Sequence, residues 1–387
     1  LTRFHLLFKS EKLDIKFGDV VVMKKYGWKL YLFSVIFFLN AISSTPLINP
    51  NFFKNLVSPL LKSNKHKQFN ALKTELLKNL PFSDELGIVK ESFLVPLKDA
   101  YAPYNPSAVF QGDHIELVYR QDVKIEKPNS NMNYNTFIKR TLLNRQFQQL
   151  TTSETINTRS LTSEDPRIIT DGSSKFLIFN DLRKAETSKT RIISLMNLNE
   201  TKPKPVPLEL GLNWYEKNWT PFICNNQIHF VYQIIPHKVV TLNDKGFPQM
   251  ENKDTKFDMS DFSFWKWGTP RGGTPAIEYK GEYLSFFHSS FHVKDKIIYV
   301  MGAYIFQKEK PFKITQFSRF PIIFKDIYKA PIINTSDRCK RVIFPSGLIY
   351  DDKKDEFLVF CGENDSAIRV IKIDPSNLKL NLKPILE

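Results

Sequence analysis

Glu164, Asp165 and Arg167 stand together in the stretch SEDPRI, two acids and a guanidinium around one proline, directly ahead of an apolar run. A carboxylate can move a proton, and an arginine two residues on can hold it or grip an anionic or hydroxyl-rich ligand. Alternate side chains of a strand share a side, so Asp165 and Arg167 are expected to face one way and Glu164 another, as a supporting partner. The plain alternative is a hairpin mouth in which Asp165 caps a backbone amide. A second constellation, EKNWTP, strings together Lys217, Asn218 and Trp219. Lysine offers a point charge for phosphate or carboxylate, asparagine a donor and an acceptor, and tryptophan either a platform for a pyranose face or core packing. A third, WKWGTPRGGTP, sends Arg271 toward a cleft and gives Gly272 and Gly273 for close backbone approach to a ligand. It lacks the glycine spacing of a nucleotide phosphate loop and the Lys-Ser/Thr that would open the following helix.

What would position these residues is a repeat. Five segments share a polar or glycine-containing approach, a proline, an apolar strand, a turn and a second strand rich in aromatics: YNPSAVFQGDHIELVYR, EDPRIITDGSSKFLIFND, WTPFICNNQIHFVYQ, GTPAIEYKGEYLSFFHS and FPSGLIYDDKKDEFLVFCG. Their prolines, Pro106, Pro166, Pro221, Pro275 and Pro345, recur at intervals of 60, 55, 54 and 70 residues. A unit of that size holds about four strands, the content of a propeller blade. Each proline is expected at the first residue of an inner strand, where a missing amide is tolerated. The fold expected is therefore all-β, a five-bladed β-propeller, with independent hairpins on a sandwich as the alternative. In a propeller the strand starts converge on one end of the channel, which would gather Asn105, Asp165, Lys217, Arg271 and Phe344. Residues closing the second strands, Arg120, Asp181, Gln233 and His288, would border the same layer. Asp165 has no acidic counterpart before the other four prolines, so it is a feature the repeat does not require.

The bulk numbers agree with a folded, water-exposed body: 387 residues, 42% hydrophobic and 25% charged. A net charge of +15 invites a nucleic-acid partner, but the lysines are scattered and no arginine-rich arm or ordered nucleic-acid motif appears. Cys224, Cys339 and Cys361 lack metal-ligand spacing, as do His229 and His237, so no metal or other cofactor is expected. Met23 opens MKKYGWKLYLFSVIFFLNAISS, a basic stretch, an apolar segment from Leu30 to Leu39 and then small residues. That is the pattern of a secretory signal over residues 23–44, with a membrane anchor at 30–39 as the alternative. Residues 1–22 read as an over-extended start. Residues 45–84 have helical apolar spacing broken by Pro59, an N-terminal helical extension, and 85–387 form the propeller.

Taken in order, YNPSAVF with LVYR, SEDPRI, EKNWTPF, RGGTPAI and YLSFFH resemble glycoside-hydrolase family 130 over about residues 100–365. The resemblance implies a five-bladed propeller acting on β-mannosides with inversion, as a phosphorylase or a hydrolase, among relatives that include mannosyltransferases. It implies Asp165 as general acid, acting in the phosphorylases through a hydroxyl of the mannosyl residue. Arg167 would belong to the anion or sugar shell, Lys217 would lie near phosphate, and Arg120 would close the first inner hairpin. An arginine–asparagine pair that phosphorolytic members place after this strand has only Arg183 and Arg191 as loose counterparts, and the family histidine is matched loosely by His229 or His237. The nucleophile stays open between water and inorganic phosphate as co-substrate. Water would need a base, for which Glu164, Asp181, Asp261 and Glu363 are available. A transferase using an activated sugar donor held by Arg120, Arg167, Lys217 and Arg271, and a non-catalytic glycan-binding propeller, are the other readings. In each the partner is a glycan.

Overall fold

The computed structural model describes residues 7–8, 11–12, 80–126, 134–184, 189–211, 215–251, 262–293, 295–333 and 340–385. The segment read as a secretory signal or anchor, nearly all of the helical extension, Cys339 and Asp261 lie outside the described residues. The chain forms two units, Leu1–Phe69 and Asn70–Glu387. In the first, the strands β1 (Leu7–Phe8) and β2 (Glu11–Lys12) pair antiparallel. In the second, the first strand among the described residues is β3 (Val89–Leu94). It is all-β and propeller-like, and the one helix among the described residues is the short α1 (Pro375–Asn381). No described helix is long and apolar enough to cross a membrane.

Successive hairpins build the sheets in chain order. The first sheet holds β4 (Tyr104–Gln111), β5 (His114–Lys124), β6 (Tyr134–Leu143) and β7 (Glu154–Thr155). The second holds β8 (Glu164–Thr170), β9 (Lys175–Lys184), β10 (Lys189–Asn197) and β11 (Val206–Leu208), and the third β12 (Thr220–Cys224), β13 (Gln227–Gln233), β14 (Lys238–Leu242) and β15 (Pro248–Met250). A larger sheet of seven strands follows. It is built around β18 (Glu282–Val293) and β19 (Lys296–Gln307), and includes β16 (Arg271–Gly272), β17 (Ile277–Tyr279), β20 (Ile314–Ser318), β21 (Lys340–Arg341) and β25 (Leu382–Pro384). The last sheet runs β22 (Ile343–Asp351), β23 (Glu356–Glu363) and β24 (Ala367–Ile373), and takes β3 as its outer strand.

Burial follows this layering. Strands β4, β8 and β22 are buried almost throughout, whereas the outer strand β6 alternates between buried and accessible positions, as a sheet with one solvated edge should. Separate apolar cores fill the spaces between neighbouring sheets. Val118 meets Ile168 between the first and second, and Ile178 meets Phe230 between the second and third. Phe222 meets Tyr283 in the next space, and Leu284 meets Val359 beyond it. A further core, with Leu117 and Phe360, joins the last sheet back to the first.

The prolines sit differently from the expectation. Pro106, Pro166 and Pro345 are each the third residue of their strand, Pro221 is the second, and Pro275 lies between β16 and β17. The ladder register slips beside three of them, between Tyr104 and Ser107, Glu164 and Arg167, and Pro345 and Gly347. The bulges leave Pro106 and Pro166 out of the ladder, where a residue without an N–H fits, whereas Pro345 stays paired with Cys361 and Ser346 is left out.

Candidate active site

Asp165 and Asn105 occupy equivalent places in neighbouring sheets, each before its proline and each inside a bulge. Both take a left-handed backbone, with φ of 54° and 46°. Proline disfavours the right-handed helical region for the residue before it, and Asp and Asn accept positive φ better than other side-chain-bearing residues. The bulges bring the two side chains together: Asn105 Nδ2 donates to Asp165 Oδ1 at 2.7 Å across 60 residues of sequence. Asn180, from β9, donates to Asp165 Oδ2 at 3.3 Å, and Arg120 Nη1 approaches Oδ1 at 3.5 Å. The carboxylate therefore faces donors on both oxygens. Burial by itself would raise its pKa, but Arg120, Lys217, Asn105 and Arg167 outweigh burial and hold it below the usual carboxylate range.

Glu164 turns into a cluster of cations. Arg191 donates to its Oε1, Arg120 Nη2 lies 3.3 Å from the same oxygen, and Lys217 Nζ is 3.3 Å from Oε2. Arg191 also donates to Asn180 Oδ1 at 2.8 Å, which fixes that amide with its nitrogen toward Asp165. Behind Arg120, Asp122 accepts from its Nε and Nη2 at 3.0 and 3.2 Å and from the Tyr104 hydroxyl at 2.7 Å. The Tyr104 ring lies 4.8 Å from the same guanidinium. Asn105, Arg120, Glu164, Asp165 and Lys217 thus form one connected group. Its further members, Tyr104, Asp122, Asn180 and Arg191, were missed or only loosely placed by sequence reasoning. Counted back from the 171–174 turn without a bulge, Glu164 would pair with Asp181; the bulge moves the pairing one residue, to Asn180. Asp181 instead accepts from the hydroxyls of Ser160 and Thr162 and from its neighbour's amide.

Other expectations need correction. Arg167 does not grip the Asp165 carboxylate, because the bulge breaks the alternation that would have aligned them. Its guanidinium is buried and donates to three backbone carbonyls, Gly273 at 2.6 Å, Asp165 at 3.2 Å and Gly272 at 3.3 Å. Burial lowers its pKa to about 10, so it keeps its charge. Trp219 is not a sugar platform. It is 0% exposed, packs against Phe230 and Tyr232, and donates its indole N–H to Glu216 at 3.1 Å. Gly272 and Gly273 make room for protein rather than ligand: a Cβ on Gly272 would lie 2.0 Å from the Asn218 carbonyl oxygen, and one on Gly273 2.3 Å from that of Phe286.

Arg271 is exposed and pairs in register with His288, which is buried against Phe344 with ring centroids 4.4 Å apart. Burial first, then Arg167 and Arg271, lower the His288 pKa to about 3, so the ring is neutral. Asn218 is half-buried, with a left-handed φ of 63°. His229 stacks on Phe222 and His237 lies beside Phe306, both within the core between the third and fourth sheets. Glu363 is fully buried and accepts from Arg369 Nε at 2.6 Å. Burial pushes its carboxyl up. Among the described residues no group of His, Cys, Asp and Glu is placed to hold a metal ion.

No family model matches the sequence, and no curated protein matches it. Solved structures do match in fold. A β-1,2-mannobiose phosphorylase from Listeria innocua, in complex with β-1,2-mannobiose, covers 76% of this chain and 94% of its own at 12% identity, with a TM-score of 0.54. A mannose phosphorylase from Leishmania mexicana, in complex with phosphate ion, covers 84% and 98% at 12% identity, with the same TM-score of 0.54. A third neighbour comes from the glycoside-hydrolase family 130 of mannoside phosphorylases, which contains hydrolases that target β-1,2-mannosidic linkages in Candida mannan. It matches at 13% identity over 72% of this chain and 86% of its own, with a TM-score of 0.52. The fold of this chain is therefore that of family 130 structures.

Proposed function

We propose that the protein is an inverting enzyme on β-mannosides, a glycosidase or glycoside phosphorylase with Asp165 as general acid. The observation that carries this reading is the setting of Asp165: a buried carboxylate, thrown out of its ladder by a left-handed bulge, held from two sheets by Asn105 and Asn180 and faced by Arg120. Strained backbone and buried polar contacts concentrated on one acid are common at functional sites and unnecessary at a hairpin mouth. The activities of the solved neighbours, on β-1,2-mannobiose and on mannose, support a mannoside as substrate. Their likeness also supports reading the successive sheets as five blades.

In this reading the proton of Asp165 passes to the glycosidic oxygen, directly or through a sugar hydroxyl, as the anomeric carbon is attacked from the opposite face by a phosphate oxygen, or by water that gives up its own proton to a carboxylate base. Asn105, Arg120, Glu164, Lys217, Asn218, Arg271 and His288 would surround sugar and co-substrate. Arg120, Arg191 and Lys217 together also suit a phosphate-bearing sugar donor, which keeps a mannosyltransferase as the second reading. Export directed by residues 23–44 belongs to the first reading, in which extracellular glycan is the substrate.

The test is incubation with a panel of β-mannosides, with and without phosphate or GDP-mannose, followed by assay of free mannose, mannose 1-phosphate and elongated products. Hydrolysis or phosphorolysis supports the first reading, and donor-dependent elongation the second. Asp165→Asn is expected to lower turnover by roughly a hundredfold to ten-thousandfold. Full activity of that variant on every accepted mannoside would exclude Asp165 as the acid.

A further inference from the structure

Sugar sites pair polar groups with an aromatic face, and the tryptophan that sequence offered for this purpose is enclosed in the core. Aromatic residues stand within two positions of several side chains that touch Glu164 or Asp165. Tyr104 beside Asn105, Tyr119 beside Arg120, Phe179 beside Asn180 and Trp219 near Lys217 are all 5% exposed or less. Tyr215, two residues before Lys217, is 58% exposed. Isolated exposed aromatics are ordinary on protein surfaces, so exposure alone carries nothing; placement is what distinguishes this one.

Three contacts fix that placement. Tyr215 bridges to Arg191, the arginine that donates to both Glu164 and Asn180. The next residue anchors the segment, because the Glu216 amide donates to the Arg191 carbonyl at 2.9 Å and its carboxylate accepts from Trp219. Exposure then alternates, with Tyr215 exposed, Glu216 buried and Lys217 exposed, so the first and third share a face. Lys217 spans from that face to Glu164 at 3.3 Å. In extended chain the Tyr215 and Lys217 backbones are roughly 7 Å apart. Tyr215 therefore presents an amphipathic ring, whose stiff side chain loses little freedom on binding, beside the cations that hold Glu164, the residue next to Asp165.

We propose that Tyr215 is the stacking platform for the sugar next to the one at Asp165, and so sets a preference for an oligosaccharide over a single mannose. The inference rests on the mannoside reading above and adds a residue and a subsite to it. The test compares mannose and β-1,2-mannobiose by isothermal titration calorimetry without phosphate, using the full chain carrying Asp165→Asn to slow turnover. Tyr215→Ala is expected to weaken mannobiose about tenfold while leaving mannose within about twofold, and Tyr215→Phe to bind both like its parent. Unchanged mannobiose affinity in Tyr215→Ala overturns the platform and leaves the mannoside reading standing. Equal losses in the Ala and Phe variants overturn it too, since the hydroxyl rather than the ring would then make the contact. A parent chain that binds neither sugar, and whose wild type turns over no mannoside, overturns the mannoside reading and the platform with it.

Discussion

A general acid must carry a proton, and the free site is built to keep Asp165 without one. Asn105 and Asn180 both present amide N–H groups to it, and Arg120 lies 3.5 Å away. The pH dependence of kcat/KM reports the free enzyme, so it should show this directly. With Asp165 acting as an acid, kcat/KM falls as pH rises through its pKa, and because that pKa is depressed the fall begins at the acid end of the range. Arg120→Gln removes the nearest cation and is expected to move the fall to higher pH, whatever it does to the height of the profile. The position of that limb, measured on any accepted mannoside, decides the matter; a limb that stays where it was would show that Asp165 is not the group titrating. The same depression links Asp165 to stability. Its ionised form stabilises the fold above the unfolded carboxyl pKa of 3.8, and the contribution is lost as pH falls through the lower folded value. At this scale the sequence revealed residue types but not exposure. Trp219 and Tyr215 both flank Lys217, and only folding decides that the larger ring enters the core while the smaller remains outside.

Elements, more than single residues, explain why the acid sits where it does. The approach-proline-strand pattern was legible because a proline is tolerated near the start of an inner strand in each repeat, although its place there varies, third in β4, β8 and β22, second in β12 and ahead of β17. The bulge was not legible, since it needs only one extra residue and positive φ at Asn105 and Asp165, and it moves by one the pairing on its far side from the turn, that of Tyr104 and of Glu164. That slip exchanges Asp181 for Asn180 as the partner of Glu164 and turns Arg167 from a ligand for the acid into a structural anchor. Arg167 ties the start of β8 to the carbonyls of Gly272, the last residue of β16 in the seven-stranded sheet, and of Gly273 just after it, rather than to the adjacent third sheet. Charged donors to buried carbonyls are the stronger kind of hydrogen bond. Arg167→Met, close in size but without donors, is expected to lower the free energy of unfolding by about 3 kcal/mol, read as a lower denaturant midpoint at unchanged slope. A midpoint equal to the wild type's would mean that the three carbonyls do not depend on the guanidinium. Gly273→Ala should act in the same direction, because its Cβ meets backbone that cannot rotate away.

Across the whole molecule, the decisive contact joins the beginning of the second unit to its end. Strand β3 pairs with β24 from Arg369↔Leu94 to Ile373↔Val89, so the last sheet is completed by residues that precede the first. Ile88 and Val89 are buried in the core between the seven-stranded and last sheets, and the Ser83 amide donates to the Ile323 carbonyl at 2.6 Å. Without β3 the buried strand β24 would become an open edge, a template for pairing with other chains, and the apolar residues beneath it would meet water. This closure was invisible in the five-segment repeat, because β3 carries neither the proline nor the turn that marked the other hairpins. It leads to a comparison of two truncations. A chain beginning at residue 70, the start of the second unit, retains β3 and is expected to unfold in one cooperative transition. A chain beginning at residue 95 retains every residue proposed for the site but lacks β3, and is expected to aggregate or to melt at least about 10 °C lower, with loss of any mannoside activity. Circular dichroism melts of the two chains, with sedimentation to detect association, provide the measurement. If the shorter chain melts with the longer one as a monomer, closure through β3 does not hold the sheets together, and the apolar cores between neighbouring sheets suffice by themselves.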